Sequence, residues 1–541
     1  MLTQILASTD SSAAASNGSS IPLVMLGGYM VLLMVLGYLG YRRSKTTEED
    51  YYLAGRGQGL IVTTLTIMAT MFSSAAMLGI PGVVYKDGVA FVVFALNLPI
   101  AGATIYVLGS RIWRIGRKRR FVTPGDMLSD YFGGSSAVRI LAALTGCLYV
   151  IPYIVMQIQA GGHLAQVLFP ENEHAFQYGS TALSIVTMLY VLIGGMRSVA
   201  WTDVIQGALL LTGMLVAGIA TVVAMGGIGS YFEQVNTLPK EALTMPGASG
   251  GWSPWKLMTI CLFASVGSMI QPGQWMRFYS AHSANTLRRS ALIFSIVLPV
   301  CFLFGVMLVA LGGRVLFPPD LLAASPHPDV SKTDQILPVM MNIHIPNLLG
   351  AIGPLVVSLL FVAILAASMS TADSNLHALS AVVTRDIYDR FVRPESSQRE
   401  RAWIGRIVIV VATLVALGLV YYGDDNKGFK PLKLIAEMML FAIAFSSQLV
   451  PATIDMLFIN RGTRAGAIAG ISAGLVTVLS ILIFTKITAE PVDFFSSISR
   501  LLDIGFVGMI VNTGIFTAVS CFTRKLTPDH IQSFKSDLEH N

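Results

Sequence analysis

Runs of about twenty apolar residues recur along the whole chain, and each is long enough to cross a bilayer as a helix. Thirteen are counted: about 21–41, 60–85, 88–110, 136–168, 179–195, 201–226, 254–279, 290–313, 351–383, 403–422, 431–459, 463–486 and 501–523. Backbone amides in hydrocarbon find no water to bond, so every run must be helical. Of the 541 residues 54% are apolar and 12% are charged, about half the charged share of a soluble domain. A soluble multidomain enzyme, a disordered chain and a disulfide-stapled secreted module are excluded. The fold class is an all-α polytopic membrane protein, with the lipid bilayer as its solvent.

The charges orient it. Grouping the loops alternately puts 26 of the 36 Lys and Arg on one side, among them Arg42, Arg43, Lys45, Arg56, the cluster from Arg111 to Arg120, Arg139, Arg197, Arg277, Arg385 and Arg461. Such a bias marks the cytoplasmic side. It predicts an external N-terminal tail over 1–20, a transmembrane domain over 21–523 and a cytoplasmic tail over 524–541. An odd number of spans agrees. The net charge of +6 therefore reads as orientation, and nucleic acid is not a predicted partner. The first run ends in Arg42-Arg43-Ser44-Lys45, a stop-transfer pattern rather than a signal peptide. Cys147, Cys261, Cys301 and Cys521 have no paired spacing and read as small buried residues. The external stretches 227–253 and 314–350 have room for short lid helices.

Two runs carry helix breakers. Gly79-Ile80-Pro81-Gly82 interrupts the run from Leu60, and Gly267 and Pro272-Gly273 interrupt the run from Pro254. Unwound backbone at membrane depth is tolerated where it lines a cavity. Two breaks spaced five helices apart fit a five-plus-five inverted repeat with its binding site between them. An ordinary proline kink is the bland alternative for either one.

The ninth run is densely polar from Ala366 to His377. Ala367, Ser370, Thr371 and Ser374 share one helical face, flanked by Asp373 and His377. Short hydroxyls and freed carbonyls suit a hard monovalent cation, because they offer oxygen without adding charge. Helix–helix packing is the alternative and covers Ser368 and Ser380. It does not cover Asp373, which needs a partner. Asp203 opens the sixth run and reads equally as an N-cap acid. Asp87, Asp126 and Asp386 read as turn or cap residues. Only His163 and His377 among the histidines lie in spans, with no nucleophile or metal-ligand constellation, so an enzyme is not predicted.

These stretches together resemble the sodium:solute symporter family. The resemblance is carried by Tyr51-Tyr52-Leu53-Ala54-Gly55-Arg56, by Leu78-Gly79-Ile80-Pro81-Gly82 with Tyr85 and Gly88, by Gly194-Gly195-Met196-Arg197 with Trp201-Thr202-Asp203, and by Ala367–Ser374 running on to Thr384-Arg385-Asp386-Ile387-Tyr388. Gln271-Pro272 with Arg277-Phe278, and the stretch from Gly462 to Ala467, match its proline and pantothenate branch. The resemblance implies a leucine-transporter-like inverted repeat with its core at about 60–459. It implies a sodium (Na+) site from the carbonyls of Ala69, Phe72 and Ala367 and the hydroxyls of Ser370 and Thr371. Where members have a second ion site, the matching positions are Asp203, Asp373 and Ser374. Tyr153 matches a tyrosine of the proline-transporter pocket, with Gln157 and Gln159 nearby. Ala75, Ala76 and Met71 replace side chains of the proline and sugar branches, and Gly267 replaces an aromatic gate, so proline and hexoses lose support. The implied substrate candidates are Ser73, Ser74, Tyr153, Gln157, Gln271, Gln274, Trp275, Ser447 and Gln448. An interfacial belt for Trp275 and interhelical hydrogen bonds for the glutamines are the alternatives.

The reading that follows is sodium-coupled import of a small polar organic solute, carboxylate or amino-acid- or vitamin-like, across the plasma (inner) membrane by alternating access. Proton coupling through Asp203 or Asp373, and a non-transporting solute sensor, are the alternatives.

Overall fold

The computed structural model describes residues 21–43, 47–319, 330, 332–424, 435–487 and 493–539. The predicted external tail and Ser44-Lys45 of the stop-transfer pattern lie outside the described residues. Within them the fold is helical throughout, apart from one bridge between Gln58 and Ala281.

The elements run in chain order: α1 (Ile21–Arg43), α2 (Glu48–Leu53), α3 (Leu60–Met71), α4 (Ile80–Asp87), α5 (Val89–Arg119), α6 (Pro124–Tyr131), α7 (Ser136–Leu168), α8 (Ala175–Ala224), α9 (Pro254–Ile270), α10 (Pro272–Ser280), α11 (Ala284–Leu316), α12 (Ile336–Leu349), α13 (Gly353–Val382), α14 (Gln398–Gly423), α15 (Ile435–Ile459), α16 (Arg464–Thr485), α17 (Asp493–Leu501), α18 (Ile504–Phe522) and α19 (Pro528–Glu539). Short helices Ile228–Val235 and Lys240–Leu243 occupy the stretch read as room for lids. Helix starts follow local chemistry. Ser135, Ser253, Ser283, Thr463 and Asp503 each accept a first-turn amide, which satisfies a donor the helix leaves orphaned.

Among the described residues ten helices are long and apolar enough to cross a membrane, or eleven when the bent pair α3–α4 counts as one span. Thirteen runs give fewer helices for two reasons. The runs 179–195 and 201–226 are two helices that follow one another without a loop; α8 takes in both over 50 residues, with helical geometry left at Gly195 between them (φ 60°, ψ −171°). The run 254–279 divides at Gln271 into helices of 17 and 9 residues.

The centre is built by α8 packing on α1, α3, α7 and α13, and by α15 packing on α7; α16 and α18 pair at the periphery. Small residues make the close approaches. A Cβ on Gly213 of α8 would lie 2.7 Å from Ala363 of α13, the way apolar helices gain contact when lipid removes the hydrophobic drive.

One face carries a lattice of ion pairs. Arg139 lies 2.8 Å from both Asp126 and Asp386, and Arg385 lies 2.6 Å from Asp126 and 2.7 Å from Glu48. Arg401 joins Glu48 to Asp389. Asp126 fits its reading as a cap, closing a capping box with Thr123. Asp386 does not: it is buried inside the helical continuation of α13. Burial raises the Asp126 carboxyl, but Arg385 and Arg139 outweigh it and hold it down at about 2. The tail is not free either. Helix α19 docks on α5 and α6 through Asp537 with Lys118 and Arg119, and Phe534 is buried beneath the Arg119 guanidinium. All four cysteines are free; Cys261 and Cys301 are buried and Cys147 half-buried, while Cys521 is exposed on α18, not buried.

Candidate functional site

The first break does not fall where the sequence signals it. The stretch Gly79-Ile80-Pro81-Gly82 is helical: Gly79 has φ −64° and ψ −50°. A wide turn over Ala75–Gly79 precedes Pro81, and such π adjustments accommodate proline in membrane helices. The glycines serve packing instead. A Cβ on Gly79 would lie 2.8 Å from the Ala436 amide, and one on Gly82 2.8 Å from the Asp334 carboxyl. The chain leaves the helix seven residues earlier, at Phe72 (φ −89°, ψ 97°), and bends by 55°. Gln157 of α7 accepts the freed Ser74 amide at 3.0 Å, and the Ser73 hydroxyl accepts the Ala75 amide at 3.1 Å. Side chains thus replace the missing helical acceptors.

The second break sits at Gln271 (φ −61°, ψ 153°), whose own side chain caps α10 by accepting from Gly273. Gly267 is not part of it. It lies within α9, against Ser447 and Ile443 of α15.

Facing the first break is the polar stripe of α13. The Ala69 carbonyl accepts from Ser370 Oγ and from Thr371 Oγ1, each at 3.0 Å, and the Ala367 carbonyl accepts from Ser370 Oγ at 3.2 Å. All four residues are fully buried. Four of the five sodium candidates therefore meet at one point, and Phe72 is the residue where the backbone opens beside them. The donor set is neutral oxygen from carbonyls and hydroxyls, the chemistry a hard monovalent cation requires.

The second-ion candidates hold a different arrangement. The Asp203 carboxylate lies 3.1 Å from the Arg277 guanidinium and also accepts from Thr66. The same guanidinium nitrogen donates to Ser374 Oγ. Arg277 Nε reaches Thr66 Oγ1 at 3.0 Å, and its third nitrogen reaches the Gly273 carbonyl at 3.1 Å. Asp373 accepts from Tyr190 at 2.7 Å and from Ser374 at 3.0 Å. Arg277 is 1% exposed. Counting it among the cytoplasmic loop cations is corrected here: it lies on α10 inside the bundle. The signal available was Asp203 itself, a membrane carboxylate in need of a buried cation.

Beside the first break lies a small cavity of about 20 Å³, room for about one water. Phe72, Ala76, Phe94, Phe302, Tyr153 and Asn97 are among its walls. The Asn97 amide nitrogen donates to the Phe94 carbonyl at 2.5 Å, and its Oδ1 has no partner among the described residues. Sequence reasoning passed over Asn97 because a single amide in an apolar run gives no pattern. Of the nine substrate candidates Tyr153 lines this cavity. Ser73, Ser74 and Gln157 stitch the break beside it. Gln271 caps α10, Gln274 donates to the Ile67 carbonyl at 3.1 Å, and Trp275, fully buried, donates to Tyr279 at 2.7 Å. Ser447 and Gln448 bond to the Ala444 carbonyl of their own helix, and Asn512 of α18 donates to Gln448.

The His377 ring packs against both Tyr51 and Tyr52, with centroids 5.3 and 5.5 Å away. No group of three or more His, Cys, Asp or Glu is placed to hold a metal among the described residues.

Comparison with known proteins follows this geometry. A family model described as the sodium:solute symporter family matches residues 51–474. The sodium/proline symporter of Escherichia coli strain K12 is 29% identical over 84% of the chain and 87% of its own length. The osmoregulated proline transporter OpuE of Bacillus subtilis is 27% identical over 84% of the chain and 88% of its own. The substrate-bound outward-open structure of a Na+-coupled sialic acid symporter covers 94% of the chain and 99% of its own, with TM-score 0.73 and 20% identity, a likeness of fold.

Proposed function

We infer the function from one premise: the chain belongs to the sodium:solute symporter family. It is a multi-pass membrane protein of the transport class, and sodium is its coupling ion. The finer reading is that sodium binds among Ala69, Phe72, Ala367, Ser370 and Thr371 and drives import of a small organic solute bound at the first break. The observation that carries it is the meeting of Ser370 and Thr371 with the Ala69 carbonyl where α3 ends. The helix break frees carbonyls and α13 supplies hydroxyls, so one oxygen-lined point joins the two helices.

The solute reading rests on the cavity beside that point. Its walls are mostly apolar, with Tyr153 and the unpaired Asn97 oxygen as polar contacts. This supports a compact solute with an apolar body and at least one hydrogen-bond donor, as a small amino acid or amide has. The volume of about 20 Å³ supports movement of the surrounding helices on binding. Thirteen crossings with an external N-terminus and an inverted-repeat core remain part of the proposal. The division of α8 at Gly195 and the two breaks at Phe72 and Gln271 support them.

Moving one charge through about 100 mV releases roughly 2.3 kcal/mol, and a tenfold sodium gradient adds about 1.4 kcal/mol. One sodium thus sustains roughly 500-fold accumulation of a neutral solute. The test is uptake of labelled small amino acids and carboxylates into proteoliposomes under an inward sodium gradient. The reading predicts concentrative uptake of at least one, abolished when potassium replaces sodium. Uptake that ignores sodium and follows a pH gradient contradicts it.

A further inference from the structure

We propose that Arg277 is a resident cation that takes the place of a second sodium, so that the chain binds one sodium per cycle. This rests on the reading of Ala69, Ser370 and Thr371 as the sodium site.

The charge that a second ion would compensate is already compensated, through one oxygen of Asp203; its Oδ1 has no partner among the described residues. Asp203 Oδ2 accepts from Thr66 and faces the Arg277 guanidinium at 3.1 Å. Ser374, another ligand of the expected second site, also receives the guanidinium. An incoming sodium competes with Arg277 for the same two oxygens, and a dry guanidinium does not leave its carboxylate cheaply. All three guanidinium nitrogens are used, two of them on α3 and α10 backbone or hydroxyl oxygens, so the side chain is fixed from both ends.

The position of Arg277 adds a mechanical consequence. It rides on α10, the inner half of the second broken span in the proposed orientation, and bonds to Thr66 on α3, Asp203 on α8 and Ser374 on α13. A dissociable second ion would hold these elements together when bound from solution. A guanidinium holds them at every sodium concentration. Asp373 keeps its own donors, Tyr190 and Ser374, and does not share the guanidinium of Arg277.

The test counts sodium bound per chain at saturation, with radioactive sodium and purified full-length protein in detergent. Wild type is expected to bind one, and Thr371→Ala none. Arg277→Gln frees Asp203 and Ser374 and is expected to bind two; Arg277→Lys, which keeps the charge, is expected to bind one. Two sodium ions on wild type, one remaining on Thr371→Ala, or one on a folded Arg277→Gln overturn the proposal. If Arg277→Gln does not fold, the counts on wild type and Thr371→Ala still decide it. No sodium on wild type refutes the sodium-site reading itself, a result distinct from all of these.

Discussion

The side-chain oxygen of Gln157 accepts the backbone N–H of Ser74 at 3.0 Å, across 83 residues of sequence. The Ser74 amide lies two residues beyond Phe72, where α3 ends, and finds its acceptor on another helix. Gln157 also donates to the Tyr153 carbonyl one turn back on α7 at 3.2 Å, which fixes its amide orientation. An α7 side chain therefore sets the conformation of the break, and Tyr153 of the cavity wall is tied to the same amide.

Replacing Gln157 by leucine keeps the bulk and removes the acceptor. The buried Ser74 N–H is left unpaired, at a cost of about 1–3 kcal/mol. The expected outcome is a lower unfolding midpoint and loss of most uptake. Gln157→Glu retains the acceptor and should preserve the midpoint better. Equal losses in both variants would show that the contact to Ser74 is not what Gln157 contributes.

Asp126 makes stability depend on acidity. Its carboxyl is held at about 2, below the ordinary 3.8, with Arg385 and Arg139 outweighing burial. The folded form therefore binds its proton less tightly than the unfolded form. The stabilisation is fully present above about pH 4 and is lost as pH falls toward 2. Asp126→Asn leaves the buried Arg139 and the half-buried Arg385 each short of a partner and is expected to destabilise by about 3 kcal/mol at pH 7. Thermal unfolding of both proteins from pH 7 to pH 3 should show the gap narrowing at the acid end. A constant gap contradicts the ion-pair origin.

Helix α19 should be needed for the order of the face it covers. Phe534 is 1% exposed, with the Arg119 guanidinium 3.7 Å from its ring centre. Phe534→Ala removes a buried aromatic, a change that costs about 3–5 kcal/mol in a well-packed site and should release only this helix. Limited proteolysis is expected to cut after residue 526 far faster in the variant, while the transmembrane domain stays intact. Unchanged cleavage would mean the helix is held by Asp537 and its partners alone.

Much of the site was legible because its chemistry is written at helical spacing. Ala367, Ser370, Thr371 and Ser374 fall on one helical face beside Asp373, which packing does not cover, and family resemblance pointed Ala367, Ser370 and Thr371 at Ala69. The location of the break was not legible. Pro81 and Gly79 are the visible breakers, yet they sit in helix; Phe72 and Ser73 carry no local signal, because the break is held by Gln157 from another helix. Arg277 was misread for a related reason. A lone arginine at the end of an apolar run looks like a loop residue, and only its contact with Asp203, 74 residues away, shows it to be internal. Gly195 parts two runs without a loop between them, so the two helices follow one another directly. Local signals fix where helices can form, whereas these features arise from contacts between helices.

The central claim is that sodium binds where α13 meets the end of α3. It is tested most directly by the thermal unfolding midpoint in sodium against potassium at equal ionic strength, for wild type, Ser370→Ala and Thr371→Ala. Binding to the folded state alone raises stability by RT ln(1 + [Na+]/Kd), about 2.7 kcal/mol at a hundredfold excess over Kd. The account predicts a sodium-specific rise in wild type that grows with concentration and is absent in both variants. A rise that survives in both variants, or none in wild type at any sodium concentration, contradicts it.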